Sequence, residues 1–345
     1  MENISSKCQN CGSELWYNPK QRCLTCNYCK SNYFLPKKAD DAVLVRQYNA
    51  GFHPNQLNRS LTAYKCDTCQ NVYYMSSEEK SKKCINCGNS SSVLVEDSMY
   101  SADGIIPFKI SKEEAAKHFE KYLKTKSNVP GALKKLAKNN KLMGMFVPVW
   151  NFSFNVESKY TANTLVLRKD HFGSYYSVTK PISGEDMQRI ASLDELANKN
   201  ESELLLELFD ENDYAEIIPY FPEYTYGYRV NSVNKNIHDF AHDIISDAEK
   251  KQVKAIKKQV VAKHKDISDV NVDSEAKDVF FNFTYVPVYV NAYTHKGKTY
   301  KTYISGTTGK VVGETPKSMR KVFGKFLEAL IIAGLIGLGI YLFLL

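Results

Sequence analysis

An α+β fold is predicted from three features of this 345-residue chain. CxxC pairs crowd the stretch from Cys8 to Cys87, the middle alternates between helical spacing and a period of two, and residues 326 to 345 read FLEALIIAGLIGLGIYLFLL. The expected architecture is two N-terminal zinc ribbons, an α+β domain with two related antiparallel β-meanders and a long amphipathic helix, and one C-terminal transmembrane helix. Its boundaries fall at 1–36 for the first ribbon, 37–60 for a linker, 61–97 for the second ribbon and 98–313 for the α+β domain. A basic juxtamembrane segment, 314–325, and the helix 326–345 complete it.

The first cysteine module reads CQNCGSELWYNPKQRCLTCNYCK and the second CDTCQNVYYMSSEEKSKKCINCG. Paired CxxC knuckles offer four thiolates at the corners of a tetrahedron, the donor set of structural zinc with no position left open for a substrate. In the second module the ligands are Cys66, Cys69, Cys84 and Cys87. The first has three cysteines for two places. A residue that tolerates a left-handed backbone is wanted after each knuckle, and Asn27 meets that need better than Lys30, which favours Cys23 with Cys26. Spacing favours Cys26 with Cys29, because 14 residues separate Cys11 from Cys26 as they separate Cys69 from Cys84. The expected ligands are Cys8, Cys11, Cys26 and Cys29, with Cys23 a spare thiol. Two structural Zn²⁺ ions are therefore expected, supplying folding energy that ribbons this small cannot obtain by burial. Trp16, Tyr17, Tyr73 and Tyr74 are expected to cover the sites.

In the body, Ser111 and Glu114 form a capping box that opens a helix with Ala115, Ala116, Phe119, Tyr122 and Leu123 along one face. Pro130 begins a second, short helix. Three strands follow, FVPVWNFSFNV, YTANTLVLR and SYYSVTK, the last two joined by a turn at 170–173. The pattern recurs as YVPVYVNAY, KTYKTYIS and KVVG, with turns at 296–297 and 306–309. Val147-Pro148-Val149-Trp150 corresponds to Val286-Pro287-Val288-Tyr289, and the prolines, which lack a ladder donor, are placed at an edge or a bulge. Between the meanders, SLDELANKNESELLLELF is read as helical. The segment from Asn236 to His264 is read as a long helix with Ile237, Phe240, Ile244, Ala248, Ile256, Gln259 and Val260 on one stripe and Lys250, Lys251, Lys254, Lys257 and Lys258 on the other. The aromatic run 219–228 is read as core and turn packing.

No catalytic constellation emerges, so the chain is read as a non-enzyme. His238-Asp239-Phe240-Ala241-His242 resembles a zinc-protease helix, but its acid is Asp and a third ligand is lacking. Residues 306–310, GTTGK, lack the spacing of a phosphate loop and lead into a strand. The formal charge of +8 suggests nucleic acid, yet it counts cysteines as neutral. Eight thiolates on two dications contribute −4, leaving +4 overall, and residues 1–100 fall from +3 to −1. The ribbons are thus no basic patch.

The run 326–345 has about 20 residues, enough to cross a hydrocarbon core of roughly 30 Å. Lys317, Arg320, Lys321 and Lys325 precede it and hold the preceding chain on the cytoplasmic side. With a polar MENISSKCQN start and cysteines suited to a reducing compartment, the expected location is the cell membrane, single-pass, with the bulk of the chain cytoplasmic.

The paired CxxC ribbons, IIPFKISKEEA, FVPVW, IIPYFPEYTYGY, YVPVY and KGKTYKTYISGTTGKVVGETP together resemble a bacterial double zinc-ribbon (TFIIB-type) membrane protein family. Its members are often labelled replication-restart-helicase-like or phage replisome organiser. The resemblance spans nearly the whole chain before residue 326, and only the eight cysteine ligands carry over. Cys23 is an extra residue, and Lys30 and Gln70 stand where that family has glycine. The resemblance implies recruitment of partners beside flotillin-like and phage-shock-type proteins under envelope stress. The expected function is a non-catalytic, tail-anchored adaptor whose partners are membrane lipid and other membrane or membrane-associated proteins. The alternative is a membrane-tethered nucleic-acid binder that uses the lysine helix and ribbon aromatics.

Overall fold

The computed structural model describes residues 6–35, 43–48, 56–57, 61–75, 84, 86–96, 99–126, 142–264, 266–295 and 298–314. The expected helix at Pro130, the turn 296–297, most of the linker 37–60, and the segments 315–325 and 326–345 lie outside the described residues. No helix among the described residues is long and apolar enough to cross a membrane.

In chain order the strands are β1 (Leu15–Asn18), β2 (Cys23–Cys26), β3 (Asn32–Phe34), β4 (Arg46–Gln47), β5 (Gln56–Leu57), β6 (Thr62–Cys66), β7 (Val72–Met75), β8 (Ser92–Leu94), β9 (Met99–Tyr100) and β10 (Gly104–Ile105). Helix α1 (Lys112–Thr125) follows, then β11 (Met143–Lys169), β12 (Tyr175–Leu196), a one-turn α2 (Glu211–Tyr214), β13 (Ile218–Pro219) and β14 (Arg229–Asn231). Helix α3 (Ala241–Lys263), β15 (Ile267–His295), β16 (Lys298–Ser305) and β17 (Val311–Gly313) complete the order.

The expected α+β class is corrected: 47% of the described residues are strand against 21% helix, and most of these strands join one mixed twelve-stranded sheet. The first expected meander is not found as three strands, whereas the second pairs in order as β15, β16 and β17; both regions belong to one sheet. FVPVWNFSFNV and YTANTLVLR are one 27-residue strand, β11, and YVPVYVNAY is the end of the 29-residue β15. Alternating apolar and β-branched residues with no glycine after Gly144 let β11 run on, and register shifts at Phe152/Phe154 against β12 and at Ser153/Asn155 and Thr161/Asn163 against β15 absorb its irregularities. The expected helix from Ser192 is also corrected, since Ser192–Leu196 ends β12 and only Glu203–Leu208 coils, as a 3-10 segment. The expected C-terminal spanning helix is not among the described residues, which end at residue 314.

β11 and β15 are antiparallel neighbours, with Phe146 opposite Pro287 and Pro148 opposite Tyr285. Both prolines therefore sit at the centre of the sheet. Each falls in a seam on its strand's other side. Before Pro148, β11 pairs with parallel β14 at Met145 and Phe146; after it, with antiparallel β12 from Val149. Before Pro287, β15 pairs with parallel β10 at Thr284 and Tyr285; after it, with antiparallel β16 from Val288. Where one neighbour ends and the next begins, no ladder donor is required, so a residue without N–H fits. The carbonyls of Pro148 and Pro287 accept from Ala197 N (3.0 Å) and Gly306 N (2.9 Å).

Alternation along β11 divides the core. Phe146, Trp150 and Phe152 face a layer containing Phe108, α1 and the first ribbon. Met145, Val147 and Val149 face Leu205, Leu208 and the second cysteine module. Helix α1 starts as its sequence dictates, with Ser111 N donating to Glu114 Oε2 (2.7 Å) and Glu114 N to Ser111 Oγ (3.3 Å). Beyond the core, β11, β12 and β15 run on as an arm whose one face is covered by α3, with Ile256 and Val260 against Ala162. Helix α3 begins at Ala241, not Asn236, because Ile237–Asp239 forms a separate 3-10 turn. Gln259 of the expected stripe is exposed.

Candidate metal centres

Each CxxC segment closes as the same turn. The amides of Gly12, Lys30, Gln70 and Gly88 donate to the carbonyls of Cys8 (2.8 Å), Cys26 (3.0 Å), Cys66 (2.9 Å) and Cys84 (2.9 Å). All four donors have left-handed φ, of 74°, 63°, 59° and 77°. The turn points two thiols and its free amides to one side, and two such turns face each other in each module. Cys8, Cys11, Cys26 and Cys29 form one tetrad; Cys66, Cys69, Cys84 and Cys87 form the other. In each, the four sulfurs lie within 4.8 Å of one another.

The geometry fits a metal. A metal–sulfur distance of about 2.3 Å sets tetrahedral sulfurs about 3.8 Å apart. Cys8–Cys29 and Cys11–Cys26 stand at 3.5 Å, Cys66–Cys87 at 3.5 Å and Cys69–Cys84 at 3.6 Å. Disulfides would require about 2.05 Å, and all nine cysteines are free. Two thiolate tetrads can thus hold metal ions.

Cys23 lies outside the first tetrad. It is fully buried in β2, between Asn18 and Phe34, with Sγ 3.8 Å from Gln21 Oε1 and 3.7 Å from Thr25 Oγ1. Spacing was therefore the better guide than the preference of Asn27 for a left-handed backbone. Lys30 takes that conformation and folds its Nζ onto the Asn27 carbonyl (2.7 Å), as Gln70 folds Nε2 onto Asp67 O (3.0 Å). One such hydrogen bond, worth about 1 kcal/mol, is of the size needed to offset a left-handed non-glycine residue.

The thiols are prepared unequally. The hydroxyl of Ser31, 3.1 Å away, draws Cys29 down to about 5. Tyr33 Oη, 3.3 Å from Cys8 Sγ, lowers Cys8. Burial pushes Cys26 and Cys87 up to about 11 and Cys84 higher still. A metal must displace protons from these buried thiols, so its affinity rises with pH.

Both modules are bound into the body. Tyr17 N donates to Tyr226 O (3.0 Å), the Tyr17 and Tyr224 rings meet edge-on at 5.0 Å, and Trp16 lies over Gly227. The aromatic run 219–228 is thus the platform for the first module. A Cβ at Gly227 would come within 2.6 Å of the indole, and its φ is 82°. In the second module β7 pairs with β14, Tyr74 opposite Val230 and Tyr73 opposite Asn231, so the module extends the main sheet. Tyr17, Tyr73 and Tyr74 are buried in these junctions, and Trp16 is partly exposed.

A polar chain behind the second tetrad has no counterpart in the sequence reading. Asn86 Nδ2 donates to Cys69 Sγ (3.4 Å), and its Oδ1 accepts from Lys301 Nζ. Lys301 stands 3.7 Å from the buried carboxylate of Glu201, which accepts from Tyr303 Oη (3.0 Å) and Asn231 Nδ2 (2.9 Å). Asn231 Oδ1 in turn accepts from Asn71, the residue after the Gln70 turn (3.0 Å). A recess of about 300 Å³ opens here. No signal links Glu201 to residues 86 and 301 in a single sequence, because contact across the sheet joins them.

His238 and His242 are not brought together as ligands: one lies on the 3-10 turn and the other, exposed, on α3. Among the described residues no further group of metal-ligating side chains is found. The chain is 25% identical over 230 residues to the uncharacterized protein YdjG of Bacillus subtilis (strain 168). That alignment covers 64% of this chain and 66% of the relative, just under two thirds of its length. No family profile matches the chain, and no solved structure matches it.

Proposed function

We propose that this chain is a non-catalytic adaptor in which two structural Zn²⁺ ions hold cysteine modules onto a β-rich body that recruits other proteins at the membrane. The observation that carries the reading is closure of both tetrads: four sulfurs occupy four corners, so neither centre has a position for substrate or water. Hydrogen bonding of both modules to the body supports the metal's part as a staple that presents a fixed surface. The apolar run 326–345 supports a location at the cell membrane, and the lysines and arginine before it support a cytoplasmic body. The double zinc-ribbon resemblance suggests flotillin-like and phage-shock-type proteins as partners.

Crosslinking of the full chain in native membranes, followed by identification of captured proteins, tests this reading. The adaptor reading expects a discrete set of membrane-associated proteins that disappears when the second tetrad is broken by Cys84→Ser. The rival is a nucleic-acid binder, whose affinity would fall steeply with salt. Tight binding of nucleic acid at physiological salt, with no protein captured, would replace the adaptor by that rival.

A further inference from the structure

The arm ends in a finger that the cysteine centres do not explain. The last pairing of β11 with β15 is Thr164 opposite Ile267, whereas β11 and β12 continue from Leu165 opposite Thr179 to Lys169 opposite Tyr175. The two-stranded tip turns at Asp170, whose Oδ1 accepts from Phe172 N (2.9 Å) and Ser174 N (2.8 Å). Phe172 is 95% exposed at the apex, Tyr175 70% and Leu167 68%.

Three observations select the occupant. Apolar side chains lie on both faces of the finger, since alternation puts Leu165, Leu167 and Tyr175 on one and Val166, Val178 and Tyr176 on the other. A protein groove would cover one face, whereas a fluid acyl layer surrounds both. Charge then specifies the sign. Residues 160–182 and the α3 stretch 250–263 carry nine lysines and arginines, and their one carboxylate, Asp170, is engaged in the turn. Lys251, Lys254, Lys257, Lys258 and Lys263 are all exposed, as is Lys250, which pairs with Asp247 (3.4 Å). The acids of β15 lie on the face of the arm turned away from α3: Asp269, Asp273 and Glu275 occupy the exposed positions that alternate with Val270, Val272 and Ser274, Asp269 Oδ2 accepts from Asn163 Nδ2 (3.0 Å), and Val270 and Val272 pack with α3. Apolar and aromatic groups flanked by cations form the pattern of an interfacial element that rests at the headgroup–acyl boundary.

We infer that the finger 165–178, with the lysine face of α3 behind it, docks onto an anionic phospholipid surface, with Phe172 leading. Insertion is shallow, because beyond Leu165, whose N donates to Asp266 O (3.2 Å), neither outer backbone edge of the finger joins a third strand, and both must stay near headgroup water. This inference rests on the arm alone and does not depend on residues 326–345 or on the adaptor reading.

The test uses the full chain carrying Phe172→Trp, with vesicles of phosphatidylcholine alone or with about one third phosphatidylglycerol. The unsubstituted chain supplies the background of Trp16 and Trp150. The expected result is a blue-shifted emission, quenched by brominated lipid, that appears with the anionic vesicles and reverses at high salt. Replacing Arg168 and Lys169 by Gln should shift the equilibrium between quenched and unquenched tip about thirtyfold. Residue 172 is exposed, so its replacement leaves the fold intact. An unquenched position 172 on vesicle-bound chain, equal quenching in neutral lipid, or the same blue shift with nucleic acid alone would overturn the proposal.

Discussion

Lys301 is the hinge of the polar chain behind the second metal centre, and replacing it by Met isolates what that chain contributes. Met keeps most of the aliphatic stem but removes the ammonium, leaving the Glu201 carboxylate, whose side chain is 1% exposed, with the hydrogen bonds from Tyr303 and Asn231. Removing one partner of a buried ion pair costs about 3–5 kcal/mol, because the remaining charge is left uncompensated. Burial already holds the Glu201 carboxyl above its ordinary value, although Lys301, Tyr303 and Asn231 oppose that shift. The folded state therefore binds this proton more tightly than the unfolded state. Stability falls as pH rises from about 4.3, the unfolded value, through the folded pKa, and above that the loss is complete. Lys301→Met should deepen the loss, so its penalty is larger at pH 8 than at pH 5. The Glu201→Gln/Lys301→Met double variant, with no buried charge, should recover to within about 1–2 kcal/mol of the parent. Denaturant unfolding of the metal-loaded protein at both pH values measures all three terms. A single-variant penalty below about 1 kcal/mol at pH 8, or a double variant as weak as the single, would show that Lys301 does not compensate a buried Glu201 charge.

Other residues give sharper yes-or-no outcomes. Cys29→Ser should lower bound metal from two ions per chain to one while Cys23→Ser leaves two, as elemental analysis after dialysis would read. Gln70→Gly should change stability by no more than about 1 kcal/mol, because it relieves a left-handed φ of 59° but loses the bond to Asp67 O. Gly227→Ala should destabilise the first module's junction by about 1–3 kcal/mol, through both the left-handed φ and the 2.6 Å approach to Trp16, seen as increased Trp16 exposure by fluorescence quenching. Metal affinity should rise between pH 6 and pH 8 in competition with a chelator, since burial raises the thiols of Cys26 and Cys87.

The cysteine chemistry was legible because its information is local: spacing alone pairs Cys11 with Cys26 and Cys69 with Cys84. The α1 start was legible for the same reason, in Ser111 and Glu114. Residue preference misled at Asn27, because a side-chain bond from Lys30 supports the conformation that Lys disfavours alone. The sheet was misread where context decides. Alternation in β11 marked strand correctly, but nothing local distinguishes one 27-residue strand from two shorter ones, since the distinction depends on the long partner β15. Pro148 and Pro287 pointed to an edge or a bulge, yet neighbouring strands change over opposite each, which lets a missing donor sit at the centre of the sheet. The Glu201–Lys301–Asn86 chain joins three distant segments and left no mark on any of them.

Sulfur-coordinated metal is what the account of the two cysteine modules depends on. X-ray absorption on the purified chain, combined with metal content, should give two zinc ions, each with four sulfur ligands at about 2.3 Å. One ion per chain, or a centre with a water, nitrogen or carboxylate ligand in place of a sulfur, would contradict it.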